Sequence, residues 1–375
     1  MPGLTSFNPK TRHPRQVLQY KKSDNGRQDM KINNIRLGML NVPLKTPFKT
    51  AMRTVNEIED VVVMVDTDTG NTGYGSAPAT AVITGDTHGS IIEAISKLMS
   101  PALIGRNISE LNKLTDTIQN SIVRNFSAKA AMEMAIYDLY GQLYDAPLYK
   151  LLGGGDSVIT TDITISVDYI DKMVEDTLSA IDLGFETLKI KVGKDPALDI
   201  ERIKAIYAAV NERALIRLDA NQGWTPKQTV SVMRALENSG VRLELLEQPV
   251  RGDDIEGMKY VTERIHTPVM ADESSFGPAE AIELIRQRAA DIINIKLMKT
   301  GGISNAIKIA DIAGIYGVNC MIGCMLESSI GVAAAAHIAV AKSSVITKVD
   351  LDTPALGKYD PVTSGVIFDN SEIRI

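Results

Sequence analysis

The chain has 375 residues, 44% of them hydrophobic and 23% charged, the makeup of a globular protein with room for one large domain and a smaller one. Its net charge of -6 and isoelectric point near 5.4 argue against nucleic acid or an anionic membrane as partner, since both demand a concentrated basic surface. A small-molecule ligand fits better. Cys320 and Cys324 are too few for a disulfide framework or a four-ligand zinc site and read as small core residues of a reducing compartment. The histidines at 13, 88, 266 and 337 are too scattered to suggest a metal cluster or a triad.

Residues 1–29 carry six Lys or Arg against two Asp and almost no apolar periodicity, which predicts a disordered arm or an appended non-native segment. No secretion signal and no apolar run of about 18 residues is present, so a cytoplasmic protein is expected. From Met30 the pattern is short alternating strands, "KINNIRLGML", "DVVVMVDT" and "TGYGSAP", with "DTGNTG" as the turn between the last two. Apolar spacing of three and four then marks helices in "HGSIIEAISKLMSPALIG", "ISELNKLTDTIQNSI" and "SAKAAMEMAIYDLYGQL". Residues 30–150 therefore read as an α+β domain, and the glycines of "LLGGGDS" as the turn that ends it.

Beyond 157 strand and helix alternate in units of about 25 residues. Strands are expected at 160–166, 187–192, 215–221, 243–248, 268–273, 291–297, 318–324 and 347–352. Eight strands with seven helices between them predict a TIM-type (β/α)7β barrel over 151–352, with an open doubly wound sheet as the alternative. Residues 353–375 are too extended for an eighth helix and are expected to return to the first domain.

In such a barrel the chemistry gathers at the carboxyl ends of the strands. Polar residues interrupt those ends in pairs two apart, which aims both members at one face: Lys189 and Lys191, Asp219 and Asn221, Asn294 and Lys296, Asp350 and Asp352. Asp219, Glu247 and Asp272 fall on three consecutive strands, so the fold's repeat sets three carboxylates side by side. A hard divalent cation, most simply Mg2+, is the natural relief for their repulsion. Lys191 and Lys296 are four strands apart in an eight-strand barrel and face each other across its mouth. A carboxylate substrate held by the cation would place its α-carbon between two amines, one acting as base and the other as acid. Burial, a neighbouring lysine and the cation are expected to push the lysine pKa down, and Lys189 to stabilise the enediolate charge. Schiff-base catalysis is the rival use of a barrel lysine.

The set "LKIKVG", "LDANQGW", "LLEQPV", "MADES" and "NIKLMKTGG" resembles the muconate-lactonizing subgroup of the enolase superfamily, over nearly the whole chain from Met30. The resemblance implies a capping domain over the barrel, Lys191 and Lys296 as acid/base pair, and Asp219, Glu247 and Asp272 on Mg2+. Cycloisomerases, o-succinylbenzoate synthases, N-acylamino acid racemases and dipeptide epimerases share those residues, so the reaction stays open at this point. "DLD" at 350–352 is similar to the motif with which dipeptide epimerases hold a substrate's free ammonium. "TPFKTAMRT" resembles the cap loop of L-Ala-D/L-Glu epimerases, which implies that Arg53 meets an acidic side chain. "TDITIS" implies that Thr164 lies near the substrate carboxylate, and "IGCMLES" that the backbone from Cys324 to Leu326 lines the pocket.

The expected activity is therefore a Mg2+-dependent dipeptide epimerase, an isomerase of the kind that serves cell-wall peptide recycling, assembled as a homo-oligomer by family habit. A racemase or synthase on the same scaffold and a catalytically silent metal-dependent binding protein are the alternatives. Ser76 stands where relatives usually carry Glu, which bears on loop contacts and side-chain preference, and the chain lacks their usual Gly- and Pro-rich tail.

Overall fold

A computed structural model describes residues 29–51, 53–362 and 365–375. The segment expected to be an arm lies outside the described residues, except for Asp29.

The first unit opens with three antiparallel strands in sequence order, β1 (Ile32–Lys49), β2 (Thr54–Thr67) and β3 (Thr72–Pro78). One face of this sheet is covered by helices. α1 (His88–Glu93) runs through a π turn into α2 (Ser100–Leu103), followed by α3 (Leu111–Gln119) and α4 (Phe126–Leu143). Alternate β2 residues Val61, Val63 and Val65 bury against Ile91, Ile95, Ala131 and Ile136, the period-two face of a sheet meeting the stripe of a helix. α4 comes so close to β3 that a Cβ at Gly75 would lie 1.9 Å from the Ala131 carbonyl oxygen and one at Gly73 2.2 Å from that of Ala135. Only glycine admits that approach, which accounts for the "GYG" of the sequence.

A one-turn helix α5 (Leu148–Leu151) and the turn at Gly153–Gly155, all three glycines at positive φ, lead to β4 (Val158–Thr160). The barrel follows: β5 (Ile163–Ile165), α6 (Ile170–Asp182), β6 (Thr187–Lys191), α7 (Pro196–Val210), β7 (Leu215–Asp219), α8 (Pro226–Asn238) and β8 (Leu245–Glu247). It continues through α9 (Ile255–Thr262), β9 (Val269–Ala271), α10 (Pro278–Gln287), β10 (Ile292–Lys296), the short α11 (Leu297–Thr300) and α12 (Ile303–Tyr316). β11 (Asn319–Gly323), α13 (Ser329–Ala341) and β12 (Ile346–Asp350) complete it. The helix starts are written locally: Asp195 accepts from the amides of Ala197 and Leu198 ahead of α7, and Thr225 forms a capping box with Gln228 at α8, each with proline in the first turn.

The eight strands are all parallel and ordered β5 to β12, the (β/α)7β arrangement. Side chains rather than a regular ladder close the seam between β12 and β5. Leu351 N donates to Thr161 Oγ1 at 2.7 Å, and Thr164 N to Asp352 Oδ2 at 2.7 Å. Inside the barrel an apolar layer of Leu245, Met270, Ile292 and Met321 sits beside a charged one. There Arg217 reaches Asp162 (2.7 Å) and Glu244 (2.6 Å), and Lys348 reaches Glu244 (2.7 Å).

After α14 (Thr353–Leu356), residues 357–359 run beside β1: Lys358 N donates to the Pro43 carbonyl and Tyr359 Oη to that of Asn41. These residues make the return to the first unit expected from sequence, but the chain then leaves that unit. β13 (Ile367–Asp369) and β14 (Glu372–Arg374) form a hairpin that pairs with β4, at the amino end of the barrel. Alternation explains this: Ile373 is fully buried opposite Ile159, and Asn370, at φ 51°, turns the hairpin. Among the described residues no helix is long and apolar enough to cross a membrane.

Candidate active site

The carboxyl ends of the barrel strands open into a pocket of about 580 Å3, open mouth included. Lys189, Lys191, Lys296, Asp350 and Asp352 wall it from the barrel, and Phe48 and Arg53 from the cap loop. Register explains the convergence. Lys191 pairs with Asp219 across β6 and β7, and Asp219 with Glu247 across β7 and β8. Asp272 lies two residues beyond Met270, the β9 partner of Glu247, and so falls on the same face. β6 and β10 stand four places apart in the strand order, which sets Lys191 and Lys296 on opposite walls.

Each carboxylate of the trio has one oxygen fixed from outside and one turned to a lysine. Asp219 Oδ1 accepts from Asn221 N (2.9 Å), Glu247 Oε1 from Asn294 Nδ2 (2.7 Å), and Asp272 Oδ1 is 2.6 Å from Lys299 Nζ. On the other side Lys191 Nζ is 2.6 Å and Lys189 Nζ 3.2 Å from Asp219 Oδ2. Lys189 Nζ is also 2.7 Å from both Glu247 Oε2 and Asp350 Oδ2, and Lys296 Nζ is 2.7 Å from Asp272 Oδ2. Proximity does not make every one of these a hydrogen bond. Glu247 Oε2 and Asp272 Oδ1 are ion-paired but lack hydrogen-bonding geometry. Among the described residues no three acidic, His or Cys side chains close around a single point, because ammonium groups stand between the carboxylates. The donor set nevertheless fits a hard cation. Three carboxylate oxygens, Asp219 Oδ2, Glu247 Oε2 and Asp272 Oδ2, remain for it once the outer donors are counted.

The charges of the pocket are strongly coupled. Burial pushes the Glu247 carboxyl up, and Asp219 adds to this, to about 7 against the pull of Lys189. Burial and Asp272 push Glu273 up to about 8. Burial also opposes ionisation of Asp219, Asp272 and Asp350, yet the neighbouring lysines outweigh it and hold all three below the usual carboxylate range. From the protein's own groups alone, Lys189 and Lys296 run opposite to the sequence expectation, which also counted the cation. Burial does disfavour the Lys189 and Lys296 ammonium groups, but the carboxylates around them more than compensate and raise both.

The other expected residues fall around this centre. Thr164 is the register partner of Lys189 and lines the pocket, while its amide is held by Asp352. Burial and Asp350 push Asp352 up to about 6. Cys324 and Leu326 also line the pocket, Cys324 Sγ lying 3.2 Å from Thr353 Oγ1. Arg53 is half-buried, pairs with no carboxylate among the described residues, and is lowered by that burial. Ser76 does not line the pocket. It lies in the seam between the two units, where Ser328 Oγ donates to it, near the buried Asp60 and Glu327. A third carboxylate there would add to like charge.

Sequence reasoning missed Lys299, fully buried on three backbone carbonyls, those of Asp272, Ser275 and Asn294. Its signal was a second lysine within the apolar "NIKLMKTGG". Val82 and Ile83, also pocket-lining, carry no local sequence signature.

The sequence profile of the mandelate racemase/muconate lactonizing enzyme N-terminal domain matches residues 34–153, and that of the enolase C-terminal domain-like family residues 172–375. The L-Ala-D/L-Glu epimerase of Clostridium acetobutylicum is 51% identical over 92% of this chain and 96% of its own. A substrate-liganded complex of the L-Ala-D/L-Glu epimerase from Bacillus subtilis superimposes with a TM-score of 0.90 at 46% identity, covering 92% of this chain and 96% of that one. The Enterococcus faecalis dipeptide epimerase, in complex with Mg and the dipeptide L-Leu-L-Tyr, gives a TM-score of 0.88 at 40% identity, with 93% and 97% covered. The chain belongs to the enolase superfamily, in its mandelate racemase/muconate lactonizing branch.

Proposed function

We propose that this chain is a Mg2+-dependent dipeptide epimerase that inverts the α-carbon of the C-terminal residue by two-base 1,1-proton transfer, with Ala-Glu dipeptides preferred. The observation that carries this is the placement of Lys191 and Lys296 on opposing walls with the carboxylate trio between them. Asp219, Glu247 and Asp272 would hold Mg2+ through their inward oxygens. A bound Mg2+ polarises the substrate carboxylate and so acidifies the α C–H. One of Lys191 and Lys296 takes the α-proton from one face, and the other returns a proton to the opposite face. The Lys189 ammonium meets the negative charge that builds on the substrate carboxylate.

The rest of the pocket supports a dipeptide. Asp350 and Asp352 are two nearly fully buried carboxylates, suited to a free ammonium, which an N-acylamino acid or a succinylbenzoate lacks. Arg53 offers a guanidinium without a carboxylate partner among the described residues, suited to an acidic side chain. Thr164 and the backbone from Cys324 to Leu326 complete the walls. A cytoplasmic homo-oligomer goes with this reading, since the free thiols of Cys320 and Cys324 suit a reducing compartment. The test is a panel of dipeptides followed by NMR in Mg2+ buffer. Epimerisation of L-Ala-L-Glu above other dipeptides is expected, and inversion of N-acylamino acids but of no dipeptide would overturn the assignment.

A further inference from the structure

One cap residue, Lys49, is gripped by three consecutive barrel residues that follow β5. Lys49 N donates to Ser166 Oγ (3.1 Å), Val167 N donates to the Lys49 carbonyl (3.3 Å), and Lys49 Nζ lies 2.5 Å from Asp168 Oδ2. Immediately before it, Phe48 turns its ring into the pocket, 5.7 Å from Lys191 Nζ. Immediately after it, Thr50 and Arg53 are tied to each other through Thr50 N to the Arg53 carbonyl and Arg53 N to Thr50 Oγ1.

The grip is anchored on α7 and on the loops that follow β6 and β7. The Asp168 carbonyl accepts from Arg202 Nε (3.1 Å), and Arg202 Nη1 lies 2.9 Å from Asp199 Oδ1. Asp199 Oδ2 accepts from Gly193 N (2.8 Å) and Trp224 Nε1 (3.3 Å). Gly193 follows Lys191 by two residues, and Trp224 closes the turn that leaves Asp219. A continuous chain of hydrogen bonds thus runs from the cap to the strand ends that carry the base and a carboxylate of the trio.

We propose that Lys49 and Asp168 are positioning residues for substrate recognition, their ion pair fastening the cap segment so that Phe48 and Arg53 face the dipeptide. This rests on the epimerase reading for its ligand, but the grip itself can be read without any substrate. Neither residue touches the pocket, so loss of the pair acts on binding and leaves the proton transfer intact.

The test compares wild type, Asp168→Asn, Lys49→Met and the charge-swapped Lys49→Asp/Asp168→Lys protein. Amide exchange at Lys49 and Val167, measured by NMR without substrate, is expected to speed up in both single variants and slow again in the swap. KM for L-Ala-L-Glu is expected to rise roughly threefold to fivefold in the single variants with kcat held, the size suited to a partly exposed pair. The swap should bring KM back. Unchanged exchange in both single variants, or a fall in kcat with KM constant, overturns the proposal. If exchange responds as expected but no dipeptide is turned over by wild type, the grip stands and the epimerase reading fails.

Discussion

Lys191 and Asp219 are register partners on adjacent parallel strands, and their charged ends meet at 2.6 Å with almost no exposure to water. The proposed base and the proposed cation would therefore share one carboxylate oxygen, Asp219 Oδ2. Asp219→Asn keeps the shape but removes the charge that both depend on. Activity is expected to fall by roughly 10²-fold or more, with a weaker apparent Mg2+ affinity. Titrating activity against Mg2+ checks this, and saturating metal should recover only part of the loss.

The raised carboxyl of Asp352 gives a pH dependence. In the proposed function Asp352 receives the substrate ammonium and must be ionised to do so, and its pKa of about 6 lies above the usual value. Its charge is then present above about 6 and lost as pH falls through that value. kcat/KM for dipeptides should decline on the acid side of about 6, and Asp352→Asn should remove this limb while lowering kcat/KM by about tenfold or more.

A second pH effect concerns stability. Burial pushes Asp60 up to about 6 and Glu327 to about 8, with Asp60 adding to the latter. Asp60 Oδ1 and Glu327 Oε2 find no hydrogen-bond partner among the described residues, although Ser328 N and Met325 N serve their other oxygens. The folded chain keeps protons that the unfolded chain sheds between about pH 4 and 8, so stability falls as pH rises through that window. Urea midpoints at pH 5 and 8 measure it. Glu327→Gln should flatten the difference and stabilise the protein at pH 8 by a few kcal/mol, about 1.4 for each pKa unit relieved.

The two units are locked where Glu133 on α4 meets the start of α12. Its carboxylate accepts from Ser304 N (2.8 Å), Ser304 Oγ (2.7 Å) and Gln119 Nε2 (2.7 Å). The space is tight, since a Cβ on Gly302, which holds φ 126°, would lie 2.5 Å from Glu133 Oε2. Glu133→Ala takes the acceptor from three part-buried donors, of which Gln119 Nε2 keeps the Gly301 carbonyl, and should cost about 1–3 kcal/mol of stability. Glu133→Gln, which keeps an acceptor, should cost less. Equilibrium urea unfolding gives both.

Much of this molecule is legible in the chain because its barrel repeats. A strand-to-strand spacing near 25 residues carries Asp219, Glu247 and Asp272 to neighbouring strands, and period-two pairs turn Lys189 and Lys191 inward together. Long-range contacts were not legible. The Arg217 layer within the barrel joins residues 55 and 132 positions apart in sequence, and the grip on Lys49 joins partners 119 apart. Lysine pKa directions depended on how many carboxylates each ammonium touches, a three-dimensional count. The terminal hairpin was misplaced because "VIFDNSEIRI" signals a strand pair without signalling which edge it joins.

Solvent-deuterium exchange tests the two-wall placement of the bases most directly. In D2O with Mg2+, wild type is expected to put deuterium on the Glu α-carbon of both L-Ala-L-Glu and L-Ala-D-Glu. Lys191→Ala and Lys296→Ala should each lose epimerisation, by roughly 10²-fold to 10⁴-fold, while each retains exchange with only one of the two epimers, and not the same one. Epimerisation at the wild-type rate in either variant, or exchange from the same epimer in both, would contradict opposed bases.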